Sequence, residues 1–440
     1  MPRSPVATPV VATPSAAFER SRELVRAIDV HPSPAKPIAG GDVARWLLDE
    51  GRLLAPLAAM FDQLCWRLVG DGVTLCRATL NLETLHPQIQ GVMFRWWRDR
   101  GVTEEISYAH GMESSEAYLT SPLYLVAEQG QTLRRRIVGT LGEGGDEYEF
   151  PIFADLAKMG ATDYLAGPMA MSDGQRFPAS WATDAPSGFS ERDIEKLGSL
   201  MPALAAVVDA KATRRMATDL LGTYLGPHVG QRVLSGQVRR GQGQRMFAVI
   251  WYSDLRQSTA LADRLQGEAF FELLNDYFDC AAGAVLESGG EVLRFVGDAV
   301  LAVFEIVEPE ESIKGACNRA YHAARTALAW KTQIDQARTA RGEPTIEFGI
   351  GLHYGEVMYG NIGVPTRLEF SVIGSAANEV SRIEDLCKPL RQPLLVSKRF
   401  AREVEAPWVS TGTHDLRGVS QLVEVFALAP DDDAIGGSGI

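Results

Sequence analysis

Two α+β domains in series are predicted for this chain, and three observations carry the prediction. At 440 residues it exceeds one ordinary domain of about 150 residues, while 46% hydrophobic and 22% charged residues are globular proportions. From about residue 41 to 188, helical spacing gives way to several short apolar runs and then returns at Phe189, an order that suits an antiparallel sheet with helices around it. From residue 245 onward a strand pattern stops at Asp254 and passes into a helix, and two further strand patterns follow around Gly297 and Asp298.

Composition excludes several classes. The net charge of -13 argues against a nucleic-acid-binding surface, because phosphate backbones attract basic faces. Cys65, Cys76, Cys280, Cys317 and Cys387 show no CxxC spacing, and the seven histidines form no ligand pattern with them. A reducing, cytoplasmic setting without zinc or a disulfide framework is expected. No apolar run approaches the roughly 18 residues of a membrane span. The opening MPRSPVATPVVATPS lacks acids and an apolar core, so residues 1–38 are expected to form a disordered leader, with a transit peptide as the alternative.

The first domain begins with WLLDEGRLLAPLAAMFDQLCWRLV at helical spacing. Five β-like runs follow: VTLCRATLNL, QGVMFRWW, EEISYAH, SPLYLVAE and DYLAGPMAM. A sheet of this kind could enclose a ligand pocket, with Arg95, Trp96 and Trp97 read as core or interface. The order closes on a DYLAGPM strand, a DG turn and the helix GFSERDIEKLGSLMPALA. It resembles the GAF-like sensor domains over residues 39–210, and that resemblance implies an unknown small-molecule or protein input. Residues 144–148 read GGDEY, close to the hairpin signature of diguanylate cyclases. An acidic, glycine-rich approach and a following proline favour a solvated loop instead.

Ile194, Leu197, Met201, Leu204 and Val208 alternate by three and four. Two heptads suit either a helix packed on its own domain or a parallel dimer helix. Residues 211–244, with the basic and glycine-rich GQVRRGQGQR, are expected to form a helical linker.

In the second domain MFAVIWYS is rich in β-branched and aromatic side chains and predicts a buried strand ending at Asp254. Ser258 or Thr259 can cap the helix that follows, whose N-terminus would offer amides to an anion beside a carboxylate able to hold a divalent cation. The helical pattern runs to about Ser288, where Gly289 and Gly290 end it. Strand EVLRFV, a GD turn and strand AVLAVF come next. A right-handed crossover makes the strands before and after the helix parallel neighbours, which sets Asp254 beside Asp298. Two such carboxylates repel unless a cation lies between them, and paired Mg²⁺ or Mn²⁺ ions would use both. Further on, Asn378 and Arg382 are four apart and share a helix face. They suit a sugar hydroxyl and a phosphoryl charge, or simply a solvated face.

The segments YSDLRQSTALAD, GGEVLRFVGDAVLAVF, GIGLHYGEVMYGNIG and RLEFSVIGSAANEVSRIE together resemble the class III nucleotidyl cyclases over residues 245–429, leaving 430–440 as a flexible acidic tail. The resemblance implies a ferredoxin-like βαββαβ domain with a mixed sheet, and a homodimer whose active sites lie between two such domains. It implies that Asp254 and Asp298 bind two Mg²⁺ or Mn²⁺ ions, Asn378 orients the ribose, and Arg382 stabilises charge at the α-phosphate. Leu255, Ser258 and Thr259 would lie against the substrate, and Arg294 and Ser371 would occupy the base-selecting positions. Arg294 can only donate, which suits N1 of adenine, so ATP is the expected substrate and cyclic AMP the product. GTP, CTP or UTP, or a non-catalytic nucleotide-binding module, are the alternatives. Two departures stand out. Gln257 and Ser258 replace the family's usual loop residues before Thr259, and only Arg417 lies near the place of its triphosphate-binding lysine. His353 is read as a core histidine.

Overall fold

The computed structural model describes residues 25–33, 36–39, 41–137, 148–306, 312–418 and 422–429. The chain divides into two compact units between Thr223 and Tyr224.

The first unit is built on a seven-stranded antiparallel sheet of order β1-β4-β3-β2-β7-β6-β5. Its strands are β1 (Val25–Pro32), β2 (Arg77–Glu83), β3 (Gly91–Trp97), β4 (Val102–Tyr108), β5 (Leu133–Arg136), β6 (Asp163–Ala170) and β7 (Arg176–Thr183). The longer helices are α1 (Val43–Asp49), α2 (Leu57–Gly70), α3 (Pro122–Gln129), α4 (Pro151–Lys158) and α5 (Glu191–Leu225). Trp46, Leu47, Phe61, Leu64 and Trp66 pack from the helices onto Leu80, Phe94, Trp96 and Trp181 of the sheet. Trp96 and Trp97 are buried, as expected of core residues.

Three expectations change here. Residues 25–32, assigned to a disordered leader, form an edge strand whose side chains are mostly exposed, so no hydrophobic alternation announced it. SPLYLVAE is the helix α3 rather than a strand. Ser121 accepts from the Tyr124 amide, Pro122 opens the first turn and Gly130 closes it in the left-handed region, and these start and stop signals override a short apolar run. The helix around residue 200 is continuous for 35 residues, ending at Leu225 and so taking in the first part of the expected linker. Its Leu197, Leu204 and Val208 are buried in the core of this unit, which uses the heptad stripe within the chain. Residues 144–147 of the GGDEY stretch lie outside the described residues.

The second unit holds α6 (Pro227–Leu234), β8 (Gly243–Leu255), α7 (Ser258–Arg264), α8 (Gly267–Phe278), β9 (Glu291–Val296), β10 (Ala299–Glu305), α9 (Ile313–Ala340), β11 (Phe348–Val364), β12 (Arg367–Ile373), α10 (Ser375–Asp385), β13 (Leu394–Ser397), α11 (Lys398–Glu403), β14 (Trp408–His414) and β15 (Val423–Leu428). They form an eight-stranded sheet of order β14-β15-β13-β11-β8-β10-β9, with β12 paired to β11. Read in chain order, β8 to β11 give the split βαββαβ arrangement, and the parallel β11/β13 pair makes the sheet mixed. One face is covered by α8, α9 and α11 over Trp251, Phe304 and Leu352. The other carries a separate core in which Val229 of α6, Leu293, Tyr359, Phe370 and Val380 meet.

The expected parallel neighbours are not neighbours. β10 inserts between β8 and β9, antiparallel to both, because a two-residue turn returns the chain beside β9 before the sheet can close on β8. The long helix after Asp254 is also interrupted. It breaks at Leu265 and Gln266, resumes as α8, and passes through a π-helical turn at Asp279–Gly283 before its last turn at Ala284–Glu287. Neither Ser258 nor Thr259 caps α7. The N-cap is Gln257, with φ 59° and no side-chain cap, so seven residues of helix start from a left-handed kink.

Candidate active site

Asp254 is the next-to-last residue of β8, opposite Ala299 of β10 on one side and Gly349 of β11 on the other. Asp298 directly precedes Ala299 in the β9–β10 turn, where Gly297 takes φ 65°. The interposed strand therefore delivers the predicted pair by a shorter route than a parallel pairing would. Burial, then the charge of Asp298, then that of Asp385 push the Asp254 carboxyl up to about 6. The environment surrounds this carboxylate with other acids, against which the Leu255 amide stabilises its charge.

Two of those acids, Asp385 and Glu384, are not among the candidate residues of the sequence analysis. Glu384 is 7% exposed, and burial with the charges of Asp254 and Asp385 raises it to about 8, against a weaker pull from Arg256. Its carboxylate occupies the space that a Cβ at Gly349 would need. The signal was available: Val380, Ile383, Glu384 and Cys387 form one buried stripe, and an acid on an apolar stripe at helical spacing has a reason to be there.

Asn378 is exposed and Arg382 half-buried on α10. Arg382 Nη1 donates to Asp385 Oδ2 at 2.8 Å. Among the described residues, neither side chain has a hydrogen bond or ion pair to Asp254 or Asp298. The helix lies hard against β11, for a Cβ at Gly351 would stand 2.7 Å from the Val380 carbonyl oxygen and one at Gly355 2.8 Å from Ala376 Cβ.

Leu255 is buried, Ser258 half-buried and Thr259 exposed at the head of α7. Arg294 Nη1 donates to Glu369 Oε1 at 2.9 Å, an ion pair between half-exposed groups that joins β9 to β12. Ser371, expected beside Arg294, is 2% exposed. The carboxylate that meets Arg294 stands two residues earlier, and the strand period of two puts it on the same face as Ser371. Arg417 is exposed. His353 is buried, with Nδ1 2.9 Å from Ser397 Oγ, and burial and Arg399 lower it to about 4, as befits a core histidine.

The donors fit a hard divalent cation. Among the described residues no group of three or more His, Cys, Asp or Glu side chains could hold a metal. Two carboxylates with open neighbouring positions are what Mg²⁺ takes when it keeps waters and phosphate oxygens as its remaining ligands.

Residues 244–407 match the family model of the adenylate and guanylate cyclase catalytic domain. An adenylate cyclase of Anabaena cylindrica is 32% identical over 162 residues, 36% of this chain and 31% of that protein. An uncharacterised protein of Mycobacterium tuberculosis is 33% identical over 237 residues, 53% of this chain and 40% of its own. The chain thus spans well under half the length of these relatives. Among solved structures, the adenylyl cyclase CyaB from P. aeruginosa aligns at 25% identity and TM-score 0.38, covering 44% of this chain and 100% of that one. The guanylyl cyclase Cya2 aligns at 26% identity and TM-score 0.38, covering 44% and 97%. No helix among the described residues is long and apolar enough to cross a membrane. The stretch that carries Asp254, Asp298, Asn378 and Arg382 is the one that is similar to the adenylate and guanylate cyclase catalytic domain.

Proposed function

We propose that this protein converts ATP to 3′,5′-cyclic AMP and pyrophosphate at the interface of a homodimer, under the control of an N-terminal GAF-like sensor. The observation that carries the reading is the pair Asp254 and Asp298, held together at a sheet end where the chain supplies other acids instead of a balancing base. Two Mg²⁺ or Mn²⁺ ions there would neutralise the triphosphate and favour ionisation of the attacking 3′-hydroxyl. Asp254 and Asp298 hold that position. The 3′-oxygen attacks the α-phosphorus in line while the bond to the β-phosphate oxygen breaks. Arg382, released from Asp385, would meet the charge that grows on the α-phosphate, and Asn378 would fix the ribose. In the family this pair reaches the metals of the partner subunit, which agrees with the lack of a bond between the two pairs within one chain. The free state of all five cysteines supports a reducing, cytoplasmic compartment.

A second reading, GTP as substrate, is favoured by Glu369. Beside Arg294 it adds an acceptor to a donor, and that combination can pair with the edge of guanine as well as adenine. Purified protein given Mn²⁺ and each triphosphate separately, with products separated by chromatography, tests both. Cyclic AMP from wild type and none from Asp298→Ala supports the first reading, cyclic GMP as the sole product supports the second, and no cyclic product from any nucleotide sinks both.

A further inference from the structure

β2 presents two different faces. Ala78, Leu80 and Leu82 enter the core against the helices, whereas Arg77, Thr79, Asn81 and Glu83 line a cavity of about 440 Å³ on the other side of the sheet. That volume falls within the range of small-molecule sites. Met93, Leu123, Tyr164 and Phe177 supply apolar and aromatic wall.

The charges along this strand are not balanced. Arg77 is 7% exposed and, among the described residues, makes no ion pair. Its guanidinium lies 5.3 Å from the centre of the Trp97 ring. The neighbouring Arg95 is satisfied: its Nε donates to Glu104 Oε2 at 2.6 Å, and Trp97 Nε1 donates to the same oxygen. Burial and the charge of Arg95 lower the Arg77 guanidinium to about 10. A buried cation without a counter-ion is costly and is normally paired. Beside it, Thr79 and Ser180 share a hydroxyl hydrogen bond of 2.6 Å. At the other end of β2, about 20 Å away at the rise of a strand, the Glu83 carboxyl is raised by burial and by Glu113 and Glu128. The cavity therefore runs from an unmatched cation to a cluster of acids.

We propose that this cavity binds an elongated organic monocarboxylate. The carboxylate sits in bidentate contact with Arg77, the apolar body lies along Met93, Leu123 and Phe177, and a hydroxyl or amino group at the far end donates to Glu83. One free guanidinium matches one carboxylate. A phosphate dianion is disfavoured, because Glu83, Glu113 and Glu128 line the same cavity and repel a second negative charge. The inference deepens the sensor reading of the N-terminal unit, and it is tested by binding alone, so that it stands or falls separately from cyclase activity.

The test is calorimetry and thermal unfolding of the full chain, without nucleotide, using ω-hydroxydecanoate and its neutral counterpart decanediol. Wild type should bind the carboxylate one to one and the diol at least about tenfold more weakly. Arg77→Met should lose at least about tenfold in carboxylate affinity and unfold no earlier than wild type, since it removes an unpaired buried charge. A purely structural arginine would instead leave Arg77→Met less stable. If Arg77→Met does not fold, Arg77→Lys carries the test, keeping the charge but not the fork, and should bind the carboxylate more weakly than wild type. Failure of wild type to bind the carboxylate, equal binding of the diol, or undiminished binding by the folded variant overturns the proposal.

Discussion

Asp163 and Asp254 are both aspartates at a strand terminus, and their surroundings are opposite. Asp163 opens β6 with 0% exposure. Arg134 donates to it through Nε at 3.1 Å and Nη2 at 3.0 Å, and the amides of Tyr164 and Phe189 donate at 3.0 and 3.1 Å. Asp254 faces Asp298, Asp385 and Glu384, and is held protonated up to about pH 6. A carboxylate that its own chain satisfies belongs to the folding of that chain. One that its own chain frustrates is completed by something from outside, which under the proposed function is a cation and a triphosphate.

The sharpest way to break the contrast is Asp298→Ala. Cyclic product formation should fall by about 10³-fold or more, the order expected when several kcal/mol of charge stabilisation is removed, while the unliganded protein should gain stability in urea. Retained turnover would mean that the pair is not the metal site. Asp163→Ala should do the reverse, costing about 1–3 kcal/mol because the Tyr164 and Phe189 amides lose a buried acceptor, while Arg134 keeps Glu191; urea unfolding followed by tryptophan fluorescence measures it, and an unchanged stability would remove Asp163 from the argument. Arg382→Ala should lower kcat by about 10²–10³-fold with an unchanged melting temperature, since its hydrogen bond is to a half-exposed acid on its own helix. Glu369→Gln should shift the ratio of ATP to GTP turnover by about tenfold, read from paired kcat/KM values.

The smallest effect is a slope with pH. Asp254 rises from 3.8 to about 6 and Glu384 from 4.5 to about 8 on folding, so between these values the folded state holds protons that the unfolded state has released. Stability without divalent cation should therefore increase as pH falls from about 8 toward about 4.5. Affinity for Mg²⁺ should decrease below about 6 as Asp254 keeps its proton. Glu384→Gln should flatten most of the stability slope; an unchanged slope would show that Glu384 is ionised throughout.

How far the sequence could be read depended on what each signal encodes. The run MFAVIWYS and the GD turn after EVLRFV marked the strand end and the turn that carry Asp254 and Asp298. Neither could show that β10 enters between β8 and β9, because alternation reports a strand's faces and not its neighbours. SPLYLVAE failed as a strand because an apolar run of that length has no clear period, and β1 went unnoticed because an edge strand with exposed side chains has no apolar face to show. Glu384 was legible as the acid on the buried stripe of the helix that also carries Asn378 and Arg382.

Gly349, Gly351 and Gly355 recur on the face of β11 that receives α10. Side chains usually act as adjustable shims between a helix and a sheet, so that one substitution can be absorbed by trimming another. At Gly351 the neighbour is the Val380 carbonyl oxygen, so there is nothing to trim, and the height of α10 above the strand is set there by backbone against backbone. Asn378 and Arg382 inherit that height. A single methyl at position 351 would lift them together, and no change elsewhere in the helix could set them down again.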